Sequence, residues 1–211
     1  MSDPIDASKN AAENGANHAA LRAALRREKI EAREALAAAE HARRSSALQL
    51  HLAALLQRCP PRVLGFCWPY RAEFDCRPLV RQLMAEGIRA CLPMVTPAGM
   101  AMNFREWRPE SAMLTDRYGI HFPAAGAALI PDMLLIPVNA FDAHGFRLGY
   151  GAGYFDRTLA ALVPRPLAIG IGFELARVAT IHPHAHDIPL DAVVTEAGLE
   201  IFSERLPVGS P

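Results

Sequence analysis

The stretch "DMLLIPV" (132–138) is an unbroken apolar run with no polar residue between Met133 and Val138. A strand that reads this way is buried on both faces, which is characteristic of a parallel sheet sandwiched between other layers. The surrounding pattern agrees. "RVLGFCW" (62–68), "IRACLP" (88–93), "MNFREW" (102–107), "PLAIGIGF" (166–173) and "DAVVT" (191–195) read as further strands. A helix over 76–87 stopped by Gly87, and another carried by Phe155, Leu159, Leu162 and Val163, lie between them. Short strands alternating with helices predict an α/β fold, a mainly parallel sheet with helices on both faces.

An N-terminal helical segment precedes this pattern. Residues 18–57 are rich in Ala, Leu, Arg and Glu and contain neither Gly nor Pro, so they are expected to be helical, with a break near Ser45-Ser46. Residues 1–17 show no apolar periodicity and are expected to form a disordered lead-in. The remaining 18–211 then make one domain, since 211 residues leave little room for two.

Charge and cysteine usage narrow the function classes. Lys plus Arg (22) balances Asp plus Glu (22), so no overall field draws the chain to nucleic acid. There is no run of 18 apolar residues, and the polar N-terminus is neither a signal nor a transit peptide. Cys59, Cys67, Cys76 and Cys91 lack metal or disulfide spacing and read as reduced thiols of a cytoplasmic protein.

"RLGYGAGYFDR" (147–157) is the candidate for chemistry. Gly149, Gly151 and Gly153 lack Cβ atoms, so successive amides can converge on an anion at the positive end of the following helix. The alternative is a tight strand-to-helix turn, and the spacing alone leaves both open. Asp156 falls in the first helical turn, where the helix dipole favours a carboxylate and where it could hold Mg²⁺ beside bound phosphates. Asp191, entering the last strand, is the candidate to join it.

Three other features bear on the site. Arg22, Arg26, Lys29 and Arg33 share roughly 60° of arc on the N-terminal helix, next to an apolar stripe of Leu21, Leu25, Ala32 and Leu36. The basic edge either overhangs a cleft or is simply solvated. Trp68 and Glu73 follow a strand at its carboxyl end, an arrangement suited to a flat hydrogen-bonding heterocycle, or else a core tryptophan beside a solvated acid. His182, His184 and His186 alternate, but Pro183 and the want of a fourth ligand argue against zinc.

Taken together, "LLIPVNAFDAHGFRLGYGAGYFDRTL" (134–159) closely resembles the signature of the 5-formyltetrahydrofolate cyclo-ligases, also called 5,10-methenyltetrahydrofolate synthetases. "RAALRREKIEAREAL", "EFD" and "HDIPLDAVVTE" resemble the family's opening helix, acidic loop and closing strand, so the likeness covers roughly 22–197. It implies a cyclo-ligase-like fold and conversion of 5-formyltetrahydrofolate to 5,10-methenyltetrahydrofolate with ATP and Mg²⁺, by a monomer or weak dimer. By motif, Arg22, Arg26, Arg147, Leu148, Gly149, Tyr150, Gly151, Ala152, Gly153, Tyr154 and Phe155 would meet ATP. Arg26, Trp68, Glu73, Tyr150 and Tyr154 would meet the folate. Asp156 and Asp191 would hold magnesium. The catalytic set would be Arg22, Arg26, Arg147 and Tyr150. Arg22 stands where the family commonly has lysine, and the two cations are not interchangeable. The runner-up reading is a paralogue that keeps the pocket as a nucleotide- or folate-binding regulatory module.

Overall fold

The structure, a computed structural model, describes residues 4–97 and 99–206, with the backbone alone for residues 4–16. Its centre is an eight-stranded sheet. In chain order its strands are β1 (Val63–Gly65), β2 (Arg89–Met94), β3 (Asn103–Trp107), β6 (Ala128–Leu129), β7 (Met133–Pro137), β10 (Leu167–Ile171), β11 (Ala192–Thr195) and β12 (Gly198–Ile201). Two hairpins stand outside it, β4 (Met113–Thr115) with β5 (His121–Pro123), and β8 (Ala140–Phe141) with β9 (Arg147–Leu148). The spatial order is β12-β11-β10-β7-β1-β2-β3-β6. The five central strands pair in parallel; β12, β3 and β6 are antiparallel at the edges.

Strand alternation splits the core into two layers. Leu64, Phe66, Met133, Leu135, Ile169, Ile171 and Val194 pack on one face against Leu48, Leu52, Leu55 and Leu56 of α2 (Ala38–Arg58) and Leu79, Val80 and Leu83 of α3 (Arg77–Ala85). On the other face, Leu134, Ile136, Ala168 and Val193 meet Leu159 and Phe155 of α4 (Tyr154–Ala161). Both faces are covered, as the apolar strands require.

The N-terminal segment differs from expectation in two places. Helix α1 spans Pro4–Glu34, well beyond an onset at residue 18. Missing periodicity removes a packing face but not helix propensity, and this stretch is alanine-rich. The lead-in expected over 1–17 lies partly outside the described residues. The break falls at residues 35–37, not at Ser45-Ser46. Ser46 donates back to the Ala42 carbonyl at 3.0 Å and Ser45 pairs with His41, so both serines sit inside α2. Among the described residues no helix is long and apolar enough to cross a membrane, and all four cysteines are free thiols.

The topology marks one place on the sheet. From β1 the chain moves to β2 on one side, whereas from β7 it moves to β10 on the other. Since β1 and β7 are neighbours, the crevice beyond their carboxyl ends is the switch point where open α/β sheets take ligands.

Candidate functional site

Asp142 shapes the chain leaving β7. Its Oδ1 accepts the His144 and Phe146 amides at 3.0 and 3.2 Å, and its Oδ2 accepts the Ile181 amide at 3.2 Å. The resulting turn closes the β8–β9 hairpin and delivers the glycine segment at the switch point.

There the three glycines differ. A Cβ on Gly149 would meet no heavy atom within 4 Å. Gly151 has φ +101°, and a Cβ there would lie 3.4 Å from the Arg26 guanidinium carbon. Gly153, in the left-handed region at φ +65°, is the N-cap of α4 and supplies no side-chain cap. The loop backbone is bare at Gly149, whereas at the helix N-terminus, which has no side-chain cap, the Arg157 guanidinium lies 2.8 Å from the point a Gly153 Cβ would occupy. Arg26 lies across it, its Nε donating to the Gly149 carbonyl at 3.0 Å. Burial, then the nearby Arg22 charge, lower the Arg26 pKa, although Asp187 opposes this.

A second polar group adjoins the first. Glu73, in the loop after β1, and Asn139, just after β7, are both buried. Arg33 reaches between them from α1. It donates to the Arg71 carbonyl at 2.9 Å, Asn139 Oδ1 at 2.9 Å and the Tyr150 hydroxyl at 3.1 Å, and lies 3.9 Å from Glu73 Oε1. The Tyr150 hydroxyl donates to Glu73 Oε1 at 2.9 Å, and the Tyr70 amide donates to Oε2 at 3.0 Å. Burial raises the Glu73 pKa against the pull of Arg33 and these two donors. Burial, then the Glu73 charge, push Tyr150 upward as well, so its phenol stays a donor. The arrangement puts a buried acceptor of fixed geometry beside the glycine loop.

Two of the four residues of the basic stripe on α1 reach this region: Arg26 lies over the glycine loop and Arg33 beside Glu73. Arg22 is occupied elsewhere. It grips Asp187 at 2.6 and 3.1 Å and donates to the His182 carbonyl at 2.9 Å, fastening α1 to the histidine segment. Arg147 is buried and donates to the Ile188 carbonyl at 2.6 Å and to Asp156 Oδ1 at 3.1 Å. Asp156 Oδ1 also accepts the Ile188 amide at 3.1 Å, while its Oδ2 takes no hydrogen bond among the described residues.

Asp191 is not brought to Asp156. It is fully buried before β11, where it accepts the Ala168 amide at 2.8 Å and pairs with Arg205 at 2.9 Å and Arg165 at 3.6 Å. None of these partners comes from the glycine loop or α4, and the carboxylate closes the amino end of β10 and β11. Trp68 packs on the core, edge-on to Trp107 and beneath Arg77 at 4.3 Å, in keeping with the plainer reading of that residue. Leu148 and Phe155 turn their side chains into the core, leaving only backbone for a ligand. Ala152 accepts from Arg157 at 2.7 Å. The Tyr154 hydroxyl bonds the Thr96 carbonyl at 3.1 Å and accepts from Arg117 at 2.7 Å.

Two members of this cluster escaped the sequence reading. Arg33 stands in the basic stripe but was not singled out from it. Asn139 had one signal, a lone amide inside the otherwise apolar "LLIPVNAF".

Comparison with known proteins follows the same lines. The sequence profile of the 5-formyltetrahydrofolate cyclo-ligase family matches residues 18–196. The 5-formyltetrahydrofolate cyclo-ligase of Escherichia coli (strain K12) is 35% identical over 133 residues, 60% of this chain and 73% of the relative. That of Haemophilus influenzae is 24% identical over 147 residues, 66% and 79% of the two chains. The 5,10-methenyltetrahydrofolate synthetase of Aquifex aeolicus superposes with a TM-score of 0.70 at 26% identity, covering 90% of this chain and 95% of its own. The 5,10-methenyltetrahydrofolate synthetase from Mycoplasma pneumoniae also gives 0.70, at 22% identity over 83% and 98% of the two chains, and shares the fold.

Proposed function

The chain belongs to the 5-formyltetrahydrofolate cyclo-ligase family, and from that premise we propose that it converts 5-formyltetrahydrofolate to 5,10-methenyltetrahydrofolate, consuming ATP with Mg²⁺ and releasing ADP and phosphate. The observation that carries this reading is the meeting of two unlike half-sites at the switch point. One is bare backbone under Arg26; the other is the Glu73–Tyr150 pair under Arg33.

The chemistry asks for such a pair. A formamide carbon is a poor electrophile, and its oxygen cannot leave as oxide. Transfer of the terminal phosphoryl group of ATP to that oxygen makes it a leaving group; N10 then attacks the carbon and phosphate departs. No protein nucleophile is needed, only alignment of two ligands and neutralisation of phosphate charge. The amides of Gly149–Gly153 and the uncapped start of α4 take phosphate oxygens. Arg26 supplies the cation above them. Glu73 accepts N–H donors of the pterin, and Tyr150 holds Glu73 from the side.

Asp156 fits a magnesium ion: one oxygen is fixed by Arg147 and Ile188, and the other is free of hydrogen bonds among the described residues. Magnesium is commonly held by one or two carboxylates plus phosphate oxygens, and when bound it offsets phosphate charge. Asp191 does not fit, since its carboxylate is enclosed by Arg205, Arg165 and the Ala168 amide. We read the protein as a cytoplasmic monomer or weak dimer.

The test uses purified protein with 5-formyltetrahydrofolate, ATP and Mg²⁺. Methenyl product followed by absorbance, with ADP formed in step, is the expected result. A folded protein giving no product above an enzyme-free control refutes the proposal.

A further inference from the structure

Arg33 is buried, and each of the three nitrogens of its fork donates a hydrogen bond. We propose that Arg33 is a positioning residue of the folate half-site, fixing Glu73 and Tyr150 in one geometry, with Asn139 as the acceptor that locks its fork. This rests on the reading that folate occupies the Glu73–Tyr150 corner.

Hydrogen-bond direction supports it. Arginine only donates, so the Tyr150 hydroxyl accepts from Arg33 and must spend its single proton on Glu73 Oε1. A carboxylate offers about four lone-pair positions, and Tyr150 and the Tyr70 amide take two. The remainder are held at a set angle for a ligand with paired N–H donors. Arg33 thereby acts on the substrate through Glu73 and Tyr150 and not by contact.

Asn139 gives the second, independent observation. It is 1% exposed, its Oδ1 accepts from Arg33, and its Nδ2 has no hydrogen-bond partner among the described residues. An orphaned buried donor is a cost that native proteins seldom carry without reason. The reason here is Arg33: an apolar residue in this place would leave the Nη1 group of the fork without its acceptor.

Charge sets the direction of the pH effect. Glu73 is faced by Arg33 from α1, by Tyr150 from the glycine loop, by the Tyr70 amide, and by the Cys67 and Cys76 thiols of its own segment. Arg33 is the one cation among these, and it opposes the protonation that burial favours. Without Arg33, Glu73 protonates at a higher pH and loses acceptor capacity there.

The experiment measures 5-formyltetrahydrofolate binding without ATP by calorimetry, and ATP binding in parallel. It compares wild type, Arg33→Met, Arg33→Lys, Asn139→Leu, Glu73→Gln and the Arg33→Met/Glu73→Gln pair, with thermal midpoints recorded for all. Arg33→Met is expected to weaken folate binding about tenfold or more while ATP affinity stays within about twofold. Arg33→Lys restores part of the loss, and Asn139→Leu reproduces part of it. On the Glu73→Gln background, Arg33→Met is expected to add less than about threefold, because both act through one group. The pH below which folate binding fails is expected to rise in Arg33→Met. Equal loss of ATP and folate affinity, fully multiplicative penalties, or an unmoved pH midpoint overturns the inference alone. Wild-type protein that binds no folate overturns it together with the proposed function.

Discussion

Arg26 and Gly151 are matched to each other: the guanidinium carbon lies 3.4 Å from the point a Cβ on Gly151 would occupy, and the same side chain bonds the Gly149 carbonyl at 3.0 Å. The glycines and the basic stripe are therefore one feature built from two distant segments. A Cβ at 151 would just touch the cation, so any longer side chain there would compete with it for space, and a side chain at 149 would enter open space.

These two glycines are expected to fail differently. Gly151→Ala strains a backbone at φ +101°, costing about 1–3 kcal/mol, so its thermal midpoint falls along with ATP affinity. Gly149→Ala meets no neighbour within 4 Å, so its stability is expected to stay within about 0.5 kcal/mol while ATP binding weakens. Calorimetric ATP titration beside thermal unfolding checks this. Undiminished ATP affinity in Gly149→Ala would remove the loop from the phosphate site.

The two aspartates first paired as magnesium ligands are expected to separate. Asp156→Asn keeps an acceptor for the Ile188 amide but weakens the hold on buried Arg147. It should lower kcat, demand more Mg²⁺ for half-maximal rate, and cost some stability. Asp191→Asn leaves Arg205 and Arg165 without their counter-charge. The two guanidinium groups are 34% and 36% exposed and can turn to water, so the loss is that of weakened hydrogen bonds at a buried group, about 1–3 kcal/mol. The variant should unfold at lower urea with its magnesium requirement unchanged. A raised magnesium requirement in Asp191→Asn would return that residue to the metal site.

Much of this was legible along the chain because the informative signals are local. Apolar runs set the parallel strands, and the glycine spacing marked a bare loop. The 3.6-residue period placed Arg26 and Arg33 on one face of α1. What escaped depends on partners far apart in sequence: Arg22 meets Asp187, and Arg33 meets Asn139, with no short-range pattern to announce either. The hairpins β4–β5 and β8–β9 were missed because strands of two or three residues are too short to show a period.

Thr158 ties α4 to the strand side of the molecule. It is fully buried, donates to the Tyr154 carbonyl at 2.7 Å and accepts the Met102 amide at 3.0 Å. Thr158→Val keeps the shape but strands that amide, at a cost of about 1–3 kcal/mol. The thermal midpoint should fall by about 2–4 °C for each kcal/mol lost. A midpoint equal to wild type would show that the Met102 amide finds another acceptor.

The Arg22–Asp187 clamp predicts a pH dependence of its own. Burial alone would raise the Asp187 pKa, but hydrogen bonds from Arg22 and the His184 amide outweigh it and hold the carboxyl below the ordinary aspartate value. A depressed acid stabilises the fold fully above its unfolded pKa, about 3.9, and loses that contribution as pH falls through the lower folded value. With the side chains only 8% and 11% exposed, Arg22→Gln is expected to cost about 3 kcal/mol near neutrality. The deficit should shrink as Asp187 becomes protonated, in urea titrations run from about pH 7 down to about pH 2. A deficit that stays constant through the acid range would mean that Arg22 stabilises the fold by packing and by its bond to the His182 carbonyl, not by holding the carboxylate.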